Sequence, residues 1–139
     1  MSKASKVNWP AAVKIWMDRV EYDFETARAM YKAGRYLYVV FMCQQAVEKM
    51  LKAMLAFQGE EIKPIHHLSK LAELAGILPE FNDETLALIE NLGSYYLNAR
   101  YKETIDALSK AIGKKEAKEY LDKTESLIAW LTRKLKPLP

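Results

Sequence analysis

The sequence predicts an all-α chain folded as an antiparallel bundle of four to five helices. Three observations carry that prediction. Apolar residues recur at steps of three and four almost throughout. Gly and Pro number only 5 each in 139 residues, too few for a turn-rich β fold. No stretch sustains the alternation of a strand. Half of the residues are apolar and 28% are charged, which suits one domain over 1–139, with 1–8 and 137–139 expected as flexible tails.

Pro10 fits the first turn of a helix over 10–33. Val13, Met17, Val20, Phe24, Ala27 and Tyr31 line one face of it, and Gly34 stops it. A second helix runs over 36–58 and closes at Gly59. Its apolar residues, from Leu37 and Val40 through Ala46, Val47, Met50 and Leu51 to Met54 and Leu55, cover more than one face, which places it mid-bundle. A loop over 59–64 leads to a short helix over 67–75, ended by Gly76. Asn82 fits the N-cap of a helix over 83–98, where Leu86, Ile89, Leu92 and Tyr96 share a stripe. Residues 99–112 allow a turn or a short helix. The last helix starts near Gly113 and turns Ala117, Tyr120, Leu121, Thr124, Leu127, Ile128 and Leu131 inward, and Pro137 ends it.

Several function classes drop out. The net charge of +3, from 21 basic and 18 acidic residues, does not announce a nucleic-acid binder. The single cysteine, Cys43, excludes an internal disulfide framework and a thiolate zinc site; it suits a reducing compartment and a buried position. The first eight residues lack an apolar core behind them, so no secretory signal is expected. The apolar stretch over 36–57 is broken by Gln44, Gln45, Glu48, Lys49 and Lys52, each costly in hydrocarbon. The expected setting is therefore cytoplasmic, without a membrane partner. No Gly-rich phosphate loop, nucleophile elbow, paired-histidine zinc motif or thiol-redox pair is present, and neither a cofactor nor a metal is expected.

Four groupings carry candidate chemistry, each beside a plainer alternative. Gln45, Glu48, Lys49 and Lys52 are joined by steps of three or four and form a polar ridge next to Gln44. The ridge is either a solvated face with a Glu48–Lys52 ion pair or the lining of a cleft or interface. His66 and His67 point differently on a helix and cannot ligate one metal together. One of them is a site histidine, or both only start a helix by bonding backbone. In the run Tyr95, Tyr96, Leu97, Asn98, Ala99, Arg100, Tyr101, Lys102, the arginine can clamp a phosphate and the tyrosines can stack on bases or simply fill a core. Residues 113–139 net +3 and 77–113 net −3, so the two segments attract each other or form solvated faces.

Taken in order, these pieces resemble the HEPN domain family of prokaryotes, small helical proteins often encoded beside minimal nucleotidyltransferases. Residues 16–33 with the Gly34-Arg35-Tyr36 turn resemble the family's first helix, and QQAVEKMLKAML over 44–55 resembles its most distinctive stretch. His66, His67 and Leu68 resemble its His-Asp-Leu helix start, with His67 in the Asp place. Ala99-Arg100-Tyr101 resembles an Arg-Tyr-Pro motif with Lys102 replacing Pro, and 112–131 resembles the last helix. The resemblance implies a homodimer with polar residues of the second and fourth segments near a shared cleft. Many members are metal-independent ribonucleases that use Arg, then four to six residues, then His. Here no His follows Arg100; Ile105, Asp106 and Ala107 stand where it would fall.

That gap sets the functional expectation. Losing one member of a cooperating pair costs orders of magnitude in rate, so the favoured reading is a nucleotide- or RNA-binding module. It would partner a minimal nucleotidyltransferase in a toxin–antitoxin-like pair. Arg100 would hold phosphate, Tyr101 and Tyr96 would stack on a base, and Lys52 would add charge. Glu48, Gln45 and His66 would complete the site. Two alternatives stay open: a metal-independent endoribonuclease whose histidine is His66 or a partner's, and a structural dimerisation bundle in which Arg100 pairs with Glu48.

Overall fold

The computed structural model describes residues 7–98 and 102–139. Among them there are six α-helices and no strand: α1 (Ala11–Lys32), α2 (Tyr36–Phe57), α3 (Leu68–Leu74), α4 (Asp83–Asn98), α5 (Lys102–Ala111) and α6 (Lys114–Thr132). A 3-10 turn, Leu78–Glu80, leads into α4. The sixth helix is α5, in the stretch whose pattern allowed either a turn or a short helix.

Local chemistry sets the boundaries. The chain leaves α1, α2 and α3 through Gly34, Gly59 and Gly76, whose φ angles of 74°, 77° and 74° lie in the left-handed region that favours glycine. The backbone amide of Arg35 donates back to the Met30 carbonyl at 2.8 Å, and Glu60 does the same to Leu55 at 2.9 Å. Asn82 caps α4 by accepting the Thr85 amide at 2.8 Å. Glu116 reaches back to the Gly113 amide at 2.9 Å and satisfies a free donor at the start of α6.

The short connection over 33–35 folds α2 back along α1, and α2 also packs on α3, α4, α5 and α6. It is the axle of the bundle. Val39, Val40, Cys43, Ala46, Val47, Met50, Leu51 and Ala53 are fully enclosed, which is why apolar residues surround so much of this helix. Leu68 and Leu71 from α3, Ile89 and Leu92 from α4 and Leu131 from α6 close the core around it. Each such leucine contributes roughly 1.5–3 kcal/mol by leaving water.

Opposite charges on the two segments of opposite sign meet within the chain: Lys134 lies 2.8 Å from Glu80, and Lys123 lies 3.9 Å from Glu84. The two ends of the described chain also meet, where the Leu138 amide donates to the Asn8 carbonyl at 2.6 Å. The stretch 137–139 is thus tied back at one point. No helix among the described residues is long and apolar enough to cross a membrane.

Candidate functional site

Helical spacing stacks Gln44, Glu48 and Lys52 on successive turns of α2. All three are buried, and Glu48 is fully enclosed. The ridge is therefore an internal polar network and not a solvated face. Lys52 Nζ donates to Glu48 Oε2 at 3.1 Å, Lys49 Nζ to the same oxygen at 3.4 Å, and Gln44 Nε2 to Glu48 Oε1 at 3.3 Å. Lys49 also donates to Gln45 Oε1 at 3.2 Å. Trp16 of α1 covers Lys52, its ring centroid 5.7 Å from Nζ.

Burial alone would push the Glu48 carboxyl up. The hydrogen bonds from His66 and Lys52 and the charges of Lys49 and Lys52 together outweigh it and hold the group below the ordinary carboxylate value. Glu48 is a buried anion between two ammonium groups. Nearby Asp23 goes the other way: burial raises it, while Lys49 and Arg19 only partly counter that.

The two adjacent histidines have separate jobs. His67 caps α3, its Nδ1 accepting the Lys70 amide at 3.3 Å. His66 turns inward instead, and its Nδ1 lies 3.1 Å from Glu48 Oε2. Gln44 Nε2 also donates to the His66 carbonyl, at 3.4 Å, so one α2 side chain holds both the backbone and the carboxylate in place. A charged carboxylate only accepts, which assigns the Nδ1 proton to the hydrogen bond and leaves Nε2 with its lone pair in the neutral ring. Nε2 has no partner among the described residues, and the His66 side chain is 52% exposed. This is a fixed imidazole backed by a buried carboxylate, able to accept a proton or, once protonated, to donate to an anion.

His66 stands at one wall of a cleft of about 550 Å³ between the start of α3 and α4. Tyr96 faces it with ring centroids 6.3 Å apart, and Asn98 also lines the cleft. Of the residues expected at the site, the structure thus brings together Glu48, Lys52, His66 and Tyr96, with Gln45 joined through Lys49. Arg100 and Tyr101 lie outside the described residues. Lys52 is buried against Glu48, so its charge is matched inside the protein. A second cleft of about 500 Å³, between α4 and α6 beside Phe81 and Trp130, contains none of the expected site residues.

Cys43 is enclosed, its Sγ 3.9 Å from the Tyr120 carbonyl, and burial pushes its thiol up to about 12. Among the described residues no group of three His, Cys, Asp or Glu side chains is placed to hold a metal ion. The site also takes in Gln44 and Lys49, which the polar ridge contains without a binding role of their own, and Trp16, which the sequence pattern does not single out. Gln44 and Lys49 share the α2 polar run. Nothing local marks Trp16, which comes to Lys52 only when α1 packs on α2.

The HEPN domain sequence model matches residues 13–135. The crystal structure of ST0689, described as an archaeal HEPN homologue, is 27% identical and has a TM-score of 0.71 over 89% of this chain and 98% of its own. The crystal structure of TT1696 from Thermus thermophilus, at 24% identity, shares the fold with a TM-score of 0.72 over 88% of this chain and 98% of its own. No curated protein matches the sequence.

Proposed function

This chain belongs to the HEPN domain family, and from that premise we propose that it is a nucleotide- or RNA-binding module built around His66. The observation that carries the proposal is the anchoring of His66 on buried Glu48 at 3.1 Å, beside an open cleft, with Nε2 unpartnered among the described residues. A ring held this way gives a phosphate oxygen or a ribose hydroxyl a partner of fixed position. Arg100 follows Asn98 in sequence by two positions; in this proposal its guanidinium clamps phosphate, and Tyr101 with Tyr96 stacks on a base. The small net charge of +3 suits a short ligand that needs few phosphates neutralised. From the family resemblance, the module works as a cytoplasmic homodimer and partners a minimal nucleotidyltransferase in a toxin–antitoxin-like pair. Titration of wild type, Arg100→Ala and His66→Ala with a short single-stranded RNA tests the proposal. Each variant is expected to bind at least tenfold more weakly; equal affinities, or no binding by wild type, would refute it.

The carboxylate–imidazole pair also favours a second reading, a metal-independent endoribonuclease. His66 Nε2 would take the proton of a ribose 2′-OH as that oxygen attacks the adjacent phosphorus. The P–O5′ bond would break as the proton held on His66 Nε2 passes through water to the leaving 5′-oxygen, and the products would be a 2′,3′-cyclic phosphate and a 5′-hydroxyl end. Arg100 would balance the charge on the phosphorane. Glu48 would hold the ring and stabilise the imidazolium. This reading expects RNA cleavage in the presence of a chelator, lost in His66→Ala. Intact RNA after long incubation at high protein concentration eliminates it.

A further inference from the structure

Gly93 sits in the interior of α4, where glycine is a poor helix former. Two packing explanations for it fail. A Cβ built at Gly93 meets nothing within 4 Å, so no neighbour demands the missing side chain. Its φ is not in the left-handed region, so no backbone constraint demands it either. What Gly93 does border is the cleft beside His66.

On α4, Glu90, Gly93, Ser94 and Leu97 fall on one face at helical spacing, and all four line this cleft. Leu97 is a large apolar side chain left half exposed there. Among the described residues the cleft lining includes the carboxylate of Glu90 and no Lys or Arg. A phosphate is therefore unwelcome inside it, whereas an uncharged flat ring fits.

We propose that Gly93 is a specificity-determining residue: the bare backbone of α4 forms the floor of a nucleobase subsite. The base lies across Gly93 against Leu97, between the rings of His66 and Tyr96 at one end and Glu90 at the other. Glu90 accepts a ring or amino N–H of the base. Ser94, which already accepts from Asn98 at 3.3 Å, donates its hydroxyl to a base carbonyl or ring nitrogen. The phosphates stay outside, on the His66 side. This subsite rests on the nucleotide-binding reading above and names the part of the ligand that the cleft selects.

The test compares two strands with the same phosphates on the full chain: an eight-nucleotide single-stranded RNA of mixed sequence, and an abasic ribose-phosphate strand of equal length. Wild type is expected to bind the RNA roughly tenfold more tightly, the contribution of about one stacked base. Gly93→Leu fills the cleft while improving helix propensity. It is expected to melt no lower than the parent, to erase that preference, and to leave the abasic affinity within about twofold. Leu97→Ala, an exposed truncation, is expected to reduce the preference severalfold. If Gly93→Leu keeps the full preference for RNA, or weakens both strands equally, the subsite is wrong. If wild type binds both strands equally, phosphate binding stands and the base subsite falls. If wild type binds neither strand, the nucleotide-binding reading falls and the subsite with it.

Discussion

Two ion pairs in this protein share the same spacing and differ in almost everything else. Lys14 and Asp18 on α1 are four residues apart and 2.7 Å from each other, with side chains 55% and 48% exposed. Glu48 and Lys52 on α2 are also four residues apart, at the longer distance of 3.1 Å, but their side chains are 1% and 6% exposed. By distance the surface pair is better. By consequence it is the weaker, because water already solvates both of its charges and salt screens them. Glu48 and Lys52 have given up nearly all of their water, so each depends on the other, and Glu48 also on Lys49 and His66. Burial, not spacing, separates a decorative pair from one that shapes a site.

The largest effect follows from breaking the buried pair on one side. Glu48→Ala strands Lys52 and frees His66, and is expected to cost about 3–5 kcal/mol of stability by chemical denaturation. A loss under about 1 kcal/mol would mean that water reaches Lys52 after all. Replacing both partners at once sharpens the comparison. Glu48→Leu with Lys52→Met removes the charges together and is expected to recover most of that loss, to within about 1–2 kcal/mol of wild type. Its His66 loses its anchor, so stability returns without ligand binding.

A smaller effect appears on acidification. The Glu48 carboxyl is lower in the folded protein than in the unfolded chain. The stability it contributes is therefore fully present above the ordinary carboxylate range and lost as the pH falls through its lowered value. Asp23, raised by burial, contributes in the opposite sense and offsets part of that loss. Glu48→Gln is expected to flatten the acid limb of a stability–pH profile; an unchanged limb places the titrating group elsewhere. The smallest effect belongs to the surface pair. Lys14→Ala is expected to change stability by about 0.5 kcal/mol or less, and roughly 0.5 M salt should erase even that.

This contrast also explains what could be read from the residues. The start of the helix over 83–98 is legible to the residue, since Asn82 and the Ile89–Leu92 stripe are local signals. The first two helices end within one residue of their expected limits for the same reason, with Gly34 and Gly59 marking the exits. α5 is less legible because, among its described side chains, only Ile105 and Leu108 pack on the core, together with Ile112 just beyond it. At the site, the polar ridge of α2 shows in the spacing of Gln45, Glu48, Lys49 and Lys52. Its burial does not, because spacing on one helix is silent about what α1 and the α2–α3 loop lay over it. The Glu48–His66 contact spans 18 residues across that loop. The split between His66 and His67 depends on backbone geometry at the start of α3, where His67 takes the capping position and turns its neighbour inward.

The central claim is that Glu48 fixes His66 as the phosphate-recognising group at the rim of the cleft. Its most direct test is the affinity of wild type and His66→Ala for a short single-stranded RNA, with circular dichroism confirming that both are folded. The account predicts at least a tenfold loss in His66→Ala with unchanged helicity. Equal affinity in the two folded proteins would contradict it.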